Sequence, residues 1–275
     1  MDISNRDINV IDFHVHCFAE DLAERAVEKL ASVSNLTPRS DGTVQGIKKS
    51  MKCAGVDRSV VLPIATKPQQ THKINQWAVS IQDEDIIAFG TIHPDYEDWE
   101  CELDWLYSSG IRGIKFHPEY QWFYVDDERL FPIYEKAAKL GMVMVFHAGV
   151  DLGFSPPYHC MPERLRNVVR TFPDARIVAA HMGGYESWDE VERFLAGESL
   201  YFDTSFSLHK MDREQFIRIG YKHGFDRLLF ATDSPWGSQY EELERLREIG
   251  LPDDILRAVL GENAVRLLGL TCQAF

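Results

Sequence analysis

Asp12-Phe13-His14-Val15-His16 closes the first apolar run of the chain with a His-x-His pair. Residues two apart on a strand project to the same side, so His14 and His16 can share one ion. Three later apolar runs end in the same type of residue: Val143-Met144-Val145-Phe146-His147, Arg176-Ile177-Val178-Ala179-Ala180-His181 and Leu228-Leu229-Phe230-Ala231-Thr232-Asp233. Strands that repeatedly end in a metal-type side chain are what a parallel barrel uses to build a site at one mouth. The pattern points to a metal-dependent enzyme.

Outward from these four runs, eight β-rich segments can be drawn, at residues 10–16, 58–63, 86–92, 113–117, 143–147, 177–181, 200–204 and 228–233. They recur about every 30 residues, the size of one βα unit. Between them lie amphipathic stretches closed by glycine, such as Pro132 to Leu140 before Gly141 and Glu241 to Ile249 before Gly250. Strand–helix alternation of this kind predicts an α/β fold, a single closed (β/α)8 (TIM) barrel over residues 1–275. An open doubly wound sheet would carry a glycine-rich phosphate turn after its first strand, and His16-Cys17-Phe18-Ala19 stands there instead. The interval from His16 to Arg58 is too long for one crossover helix, so an extra helix is expected around residues 20–32, over the barrel mouth.

With 275 residues, 45% hydrophobic, the chain can bury a large core. Its formal charge of −14 and the lack of a basic cluster argue against nucleic acid as a partner. No apolar run reaches the ~20 residues of a membrane span. Met1-Asp2-Ile3-Ser4-Asn5-Arg6 lacks the plan of a signal peptide. Cys17, Cys53, Cys101, Cys160 and Cys272 are odd in number and scattered, which fits reduced thiols and a cytoplasmic location.

On the barrel reading, Asp12, His14 and His16, then Val143, Val145 and His147, then Ile177, Ala179 and His181, then Leu229, Ala231 and Asp233 face inward by parity. Three imidazoles and a carboxylate suit Zn²⁺ and leave room for water, whose pKa zinc lowers to roughly 7. His181 reads either as a further imidazole ligand or as an acid/base behind the ligands. Lys115 and His117 also face inward. A lysine there is costly unless paired or modified, and Asp12 and Glu119 are the candidate partners. His72, His159, His209 and His223 fall on predicted helices or loops, where exposure is the default. Trp122, Phe123, Tyr158, Tyr185 and Trp236 fall in loops at the mouth.

These residues sit in motifs that resemble the amidohydrolase superfamily, in its amidohydrolase-2 branch. The motifs are Asp12 to His16, Gly113-Ile114-Lys115-Phe116-His117-Pro118, Phe146-His147-Ala148-Gly149, Ala180-His181-Met182-Gly183-Gly184, Ala231-Thr232-Asp233-Ser234-Pro235 and the tail Gly261 to Leu270. The resemblance implies a divalent metal, usually zinc, on His14, His16, His147 and Asp233, with one ion per chain. Binuclear relatives add a second ion through a carbamylated strand-four lysine and the strand-six histidine, here Lys115 and His181. The resemblance further implies His181 and Asp233 as catalytic residues. Lys115, His117, Tyr185 and Trp236 are the candidates for binding a small-molecule substrate, and a homodimer is the family habit. Hydrolysis of an amide, ester or lactone is the expected reaction, and metal-dependent decarboxylation of an aromatic or unsaturated carboxylate is the alternative.

Overall fold

The computed structural model describes residues 9–270. Its strands are β1 (Ile11–Val15), β2 (Arg58–Val61), β3 (Ile86–Ala88), β4 (Gly90–Thr91), β5 (Gly113–Phe116), β6 (Val143–Phe146), β7 (Arg176–Ala179), β8 (Tyr201–Asp203) and β9 (Leu228–Leu229). All pairings are parallel, in the orders β1-β2-β3 and β4 through β9. Phe89 alone separates β3 from β4, so one interrupted strand joins the two ladders. At the other edge, Phe13 N–H donates to Phe230 O at 2.9 Å and Asp233 N–H donates to His14 O at 2.8 Å. A parallel bridge also pairs Val15 with Ser234. Eight strand positions thus follow one another around a distorted (β/α)8 barrel.

The helices are α1 (Ala23–Ser34), α2 (Val44–Ala54), α3 (Thr71–Ser80), α4 (Trp99–Ser108), α5 (Pro118–Gln121), α6 (Phe131–Lys139), α7 (Pro162–Thr171), α8 (Trp188–Phe194), α9 (Arg213–His223), α10 (Gln239–Glu248), α11 (Asp253–Arg257) and α12 (Asn263–Leu268). Both α1 and α2 lie between β1 and β2. The glycine stops operate as the sequence suggests: Gly141 and Gly250 take φ of 68° and 73° just past α6 and α10. Among the described residues no helix is long and apolar enough to cross a membrane. Cys17, Cys53, Cys101 and Cys160 are unpaired thiols. Cys272 and Met1 to Arg6 lie outside the described residues.

Two apolar layers hold this scaffold. The inner one joins Ile11, Phe13, Val60, Leu62, Phe89, Val143, Val145, Val178, Leu229 and Ala231, with Ala264, Leu267 and Leu268 of α12 beneath. The outer one packs strand residues such as Val15, Ile114, Phe116, Met144, Phe146, Ile177 and Ala179 against the helices. Gly113 lies where Phe89 fills the interior, and a Cβ there would sit 2.1 Å from the ring.

This layering corrects the parity reading at two strands. On β7, Val178 faces inward while Ile177 and Ala179 face the helices. On β1, Ile11 and Phe13 face inward. Asp12 points outward, accepting from Thr232 Oγ1 at 2.6 Å and from Gln239 Nε2 of α10 at 2.8 Å. Two backbone irregularities turn the functional side chains back toward the mouth. The β1 register shifts between Asp12 and Val15. His181 and Asp233 adopt left-handed φ of 60° and 62°, each at a cost of about 1–3 kcal/mol that the surrounding packing must offset.

Candidate metal centre and substrate cavity

His14 Nε2, His16 Nε2 and one oxygen of Asp233 form a compact triangle. The two nitrogens are 3.2 Å apart, and Asp233 Oδ1 lies 3.3 Å from His14 Nε2 and 3.2 Å from His16 Nε2. Ligands about 2.0–2.1 Å from a tetrahedral zinc are separated by roughly 3.3 Å, so the triangle has the edge lengths of a coordination face.

The tautomers make the same point. His14 Nδ1 lies 2.9 Å from Asp203 Oδ2, and that carboxylate can only accept. His16 Nδ1 lies 2.8 Å from the Leu62 carbonyl, which likewise only accepts. Both Nδ1 atoms therefore carry the proton, and both Nε2 lone pairs face one another beside a carboxylate. An arrangement of three electron-rich atoms fits a bound cation. Burial pushes His14 down to about 3, helped by the Lys115 ammonium, so its ring is neutral as a ligand must be. Burial alone would raise the Asp233 carboxyl, but its histidine neighbours His16, His14 and His181 act in the opposite sense and keep it below the usual carboxylate range.

His147 contributes no atom to this triangle. His181 Nδ1 lies 3.0 Å from the Ser205 carbonyl and therefore bears the proton, which leaves its Nε2 to accept from His147 Nδ1 at 3.0 Å. His147 Nε2 is left as a buried lone pair without a hydrogen-bond partner. It faces Asp151 Oδ2 at 3.7 Å, and His117 Nε2 approaches the same oxygen at 3.3 Å. His117, His147 and Asp151 thus form a second group with the residue types of a metal site. Its geometry is wrong for one shared ion. The two imidazoles stack at 4.2 Å with planes only 11° apart, whereas an ion must lie near the plane of every ring it binds.

Lys115 is fully buried on β5, its Nζ 3.1 Å from His14 Nε2. Burial pulls it down to about 8, while Asp203 and Asp233 act in the opposite sense. The expected pairing with Asp12 or Glu119 is not formed: Asp12 faces outward, and Glu119 Oε1 accepts from His159 N–H at 2.7 Å. Burial raises Glu119 to about 7.

Sequence reasoning missed Asp203, Ser205 and Asp151. Asp203 is fully buried at the end of β8. Besides His14 it takes the His181 backbone N–H at 3.0 Å and the Ser205 N–H at 3.1 Å. Burial would raise this carboxyl, but His14 holds it down to about 2. A signal was available, because Asp203 lies within the segment 200–204 drawn as a strand and is the last residue of β8.

A cavity of about 820 Å³ opens over these groups, within the usual range for small-molecule sites. Lys115, His117, Tyr185 and Trp236 all line it, as do His16, His147, His181 and Asp233. Of the aromatics expected at the mouth, Trp122, Phe123 and Tyr158 do not line it: Trp122 is 72% exposed and Phe123 is buried in the outer layer. Among the remaining histidines, His223 departs from expectation. It is buried and stacks on Phe202 at 3.9 Å.

The fold has clear counterparts among solved structures. An uncharacterized TIM-barrel protein from Bordetella bronchiseptica aligns with a TM-score of 0.78 at 20% identity, covering 94% of this chain and 98% of that one. The 5-carboxyvanillate decarboxylase of Sphingomonas paucimobilis aligns at 0.71 and 15% identity, covering 96% and 100%. A protein assigned as 2-pyrone-4,6-dicarboxylic acid hydrolase from Pseudomonas putida aligns at 0.69 and 16% identity, covering 97% and 99%. At such identities the likeness establishes the fold alone. No curated protein matches the chain. The amidohydrolase family model, however, matches residues 11–270, nearly the whole length, and the chain belongs to the amidohydrolase-2 family of enzymes.

Proposed function

We propose that the protein is a metal-dependent hydrolase acting on an amide, ester or lactone bond of a small molecule. One divalent ion, most simply Zn²⁺, is held by His14, His16 and Asp233, with the bare Nε2 of His147 as the remaining imidazole donor. When bound, the ion would polarise the scissile carbonyl and acidify water. The observation that carries the reading is the state of Asp233. Its Oδ1 belongs to the ligand triangle, and among the described residues no hydrogen bond occupies Oδ2.

Asp233 Oδ2 is therefore free to take the proton of the attacking water and return it to the leaving group. The Lys115 ammonium, inside the cavity, is placed to balance charge developing on the carbonyl oxygen. His181 acts through His147: its accepting Nε2 fixes the His147 ring and keeps that residue's Nε2 unprotonated. The acyl part of the substrate lies against the apolar walls, with Tyr185 and Trp236 beside it.

Asp233→Asn tests this assignment. The fold should survive, and kcat on any ester or lactone the protein turns over should fall by orders of magnitude. A near-wild-type rate would remove Asp233 from the mechanism.

A second reading, decarboxylation, has one observation in its favour. Lys115 places a buried cation beside the ligand triangle, where it could help grip a carboxylate. Similar folds include decarboxylases as well as a hydrolase. Release of CO₂ from an aromatic carboxylate without net addition of water would select that reaction.

A further inference from the structure

The cavity extends past the inner cluster into an outer chamber walled by α1 and α3. Leu22, Ala26 and Leu30, spaced at i, i+4 and i+8 where α1 begins and continues, line it on one side. Ile74 and Trp77 of α3 line it as well. The core-buried residues of α1 are Ala23 and Val27, so α1 carries a second apolar stripe turned to the chamber.

The charges lining this chamber run against the chain as a whole. The protein carries a formal −14, yet the charged residues lining the cavity outside the inner cluster are Arg25 and Lys29 of α1 and Lys73 of α3. The carboxylates lining the cavity, Asp151 and Asp233, belong to the inner cluster. None of the three cations, all of them solvent-exposed, has a salt-bridge partner among the described residues. Arg25 and Lys29 stand at i and i+4, a like-charge spacing that destabilises an isolated helix by about 0.2–0.5 kcal/mol. An anion between them would reverse the sign of that interaction.

We propose that the outer chamber binds an organic anion with an extended hydrocarbon body. The hydrocarbon lies between the α1 stripe and Trp77, and the anionic group sits at Arg25, Lys29 and Lys73, remote from the metal ligands. Resting on the hydrolytic reading above, this makes the substrate an amphipathic acid derivative: its reacting bond enters first and its anionic end stays at the rim. The anionic group is a recognition element and is left unchanged by the reaction.

The test uses the full-length protein and three probes of equal chain length: decanoate, 1-decanol and decyltrimethylammonium. Binding is followed by tryptophan fluorescence, since Trp77 and Trp236 line the cavity. Decanoate should bind at least tenfold more tightly than the other two, and the advantage should shrink with added salt. Combined Arg25→Glu, Lys29→Glu and Lys73→Glu should remove at least tenfold of the decanoate affinity and leave decanol unchanged. The neutral Gln series, checked by circular dichroism, should give an intermediate loss. Decanoate binding no tighter than decanol, or indifferent to the substitutions, would overturn the proposal. Metal stoichiometry is measured on the same samples. Normal metal with charge-indifferent binding defeats this proposal alone, while absent metal with charge-dependent binding defeats only the hydrolytic reading.

Discussion

Asp203 Oδ2 accepts the Nδ1 proton of His14 at 2.9 Å, and its other oxygen accepts the backbone N–H of His181 at 3.0 Å. One buried carboxylate thereby sets the tautomer of a candidate metal ligand and holds a residue of left-handed φ in place. A carboxylate behind a ligating imidazole orients the ring and raises its basicity.

Asp203→Asn should therefore bind metal 10–100-fold more weakly while remaining folded, because the amide can present Nδ2–H to His14 and favour the wrong tautomer. Competition with a chromogenic chelator reads the affinity directly. Unchanged affinity would show that His14 is oriented by Ser205 Oγ, 3.1 Å from the same nitrogen, without help from Asp203.

Metal content per chain, measured by elemental mass spectrometry on untagged protein, should be about one. His16→Ala should bring it close to zero. A value near two would give Lys115 a bridging role and make His181 a ligand of the second ion, reversing the roles assigned to both.

Lys115→Met should abolish turnover and leave the fold as stable as the wild type or more so. A fully buried ammonium with no carboxylate in contact carries a desolvation penalty that a thioether of similar length avoids. The measurement is a pair, thermal midpoint and kcat. A large fall in the midpoint would mean that the ammonium holds the ligands together.

His223 gives a pH dependence far from the metal ligands. Its Nε2 donates to the Leu200 carbonyl at 2.9 Å, and its Nδ1 accepts from Gly197 N–H at 3.2 Å. Burial, with Arg227 adding to it, pulls the folded-state pKa down from 6.5 to about 3. The unfolded chain thus binds the proton more readily. The stability contributed by the neutral ring is complete above pH 6.5 and is lost as pH falls toward 3, by about 1.4 kcal/mol per pH unit. Between pH 6.5 and 5.5, above most carboxylate titrations, His223→Gln should flatten the fall in urea midpoint. Equal slopes in both proteins would contradict a buried neutral ring.

Gly113→Ala tests the inner layer. Its added methyl meets the Phe89 ring, so a loss of about 1–3 kcal/mol is expected, with partial recovery on combining it with Phe89→Leu. Additive losses in the double variant would show that the two positions do not share the space.

The strands, their order and the type of residue at their ends could be read from the chain, because apolar period and strand-end chemistry are local properties. The facing of Asp12 and of Ile177 could not. Strict alternation fails at a register shift and at a left-handed residue, and neither leaves a mark in composition. Tyr185 and Trp236 reached the cavity while Trp122 did not, since loop conformation decides that and hydropathy does not. Asp203 was within reach, at the end of a strand already recognised, but a single carboxylate there lacked the repetition that drew attention to the histidines. Asp151 was out of reach, since it joins His117 only through the loop that follows β6.

The backbone bond from Asp233 N–H to His14 O has a consequence for assembly. It lies on the seam where the last strand meets the first, and Thr232 there reaches Asp12 across 220 residues of chain. A chain emerging from the ribosome would hold no complete ligand triangle until its final strand arrives, however well its earlier βα units had formed. On the proposed metal-dependent function, ion capture would then come last in maturation and would pull the folding equilibrium toward the closed ring by mass action. Starved of metal, the protein should be most fragile along that one seam.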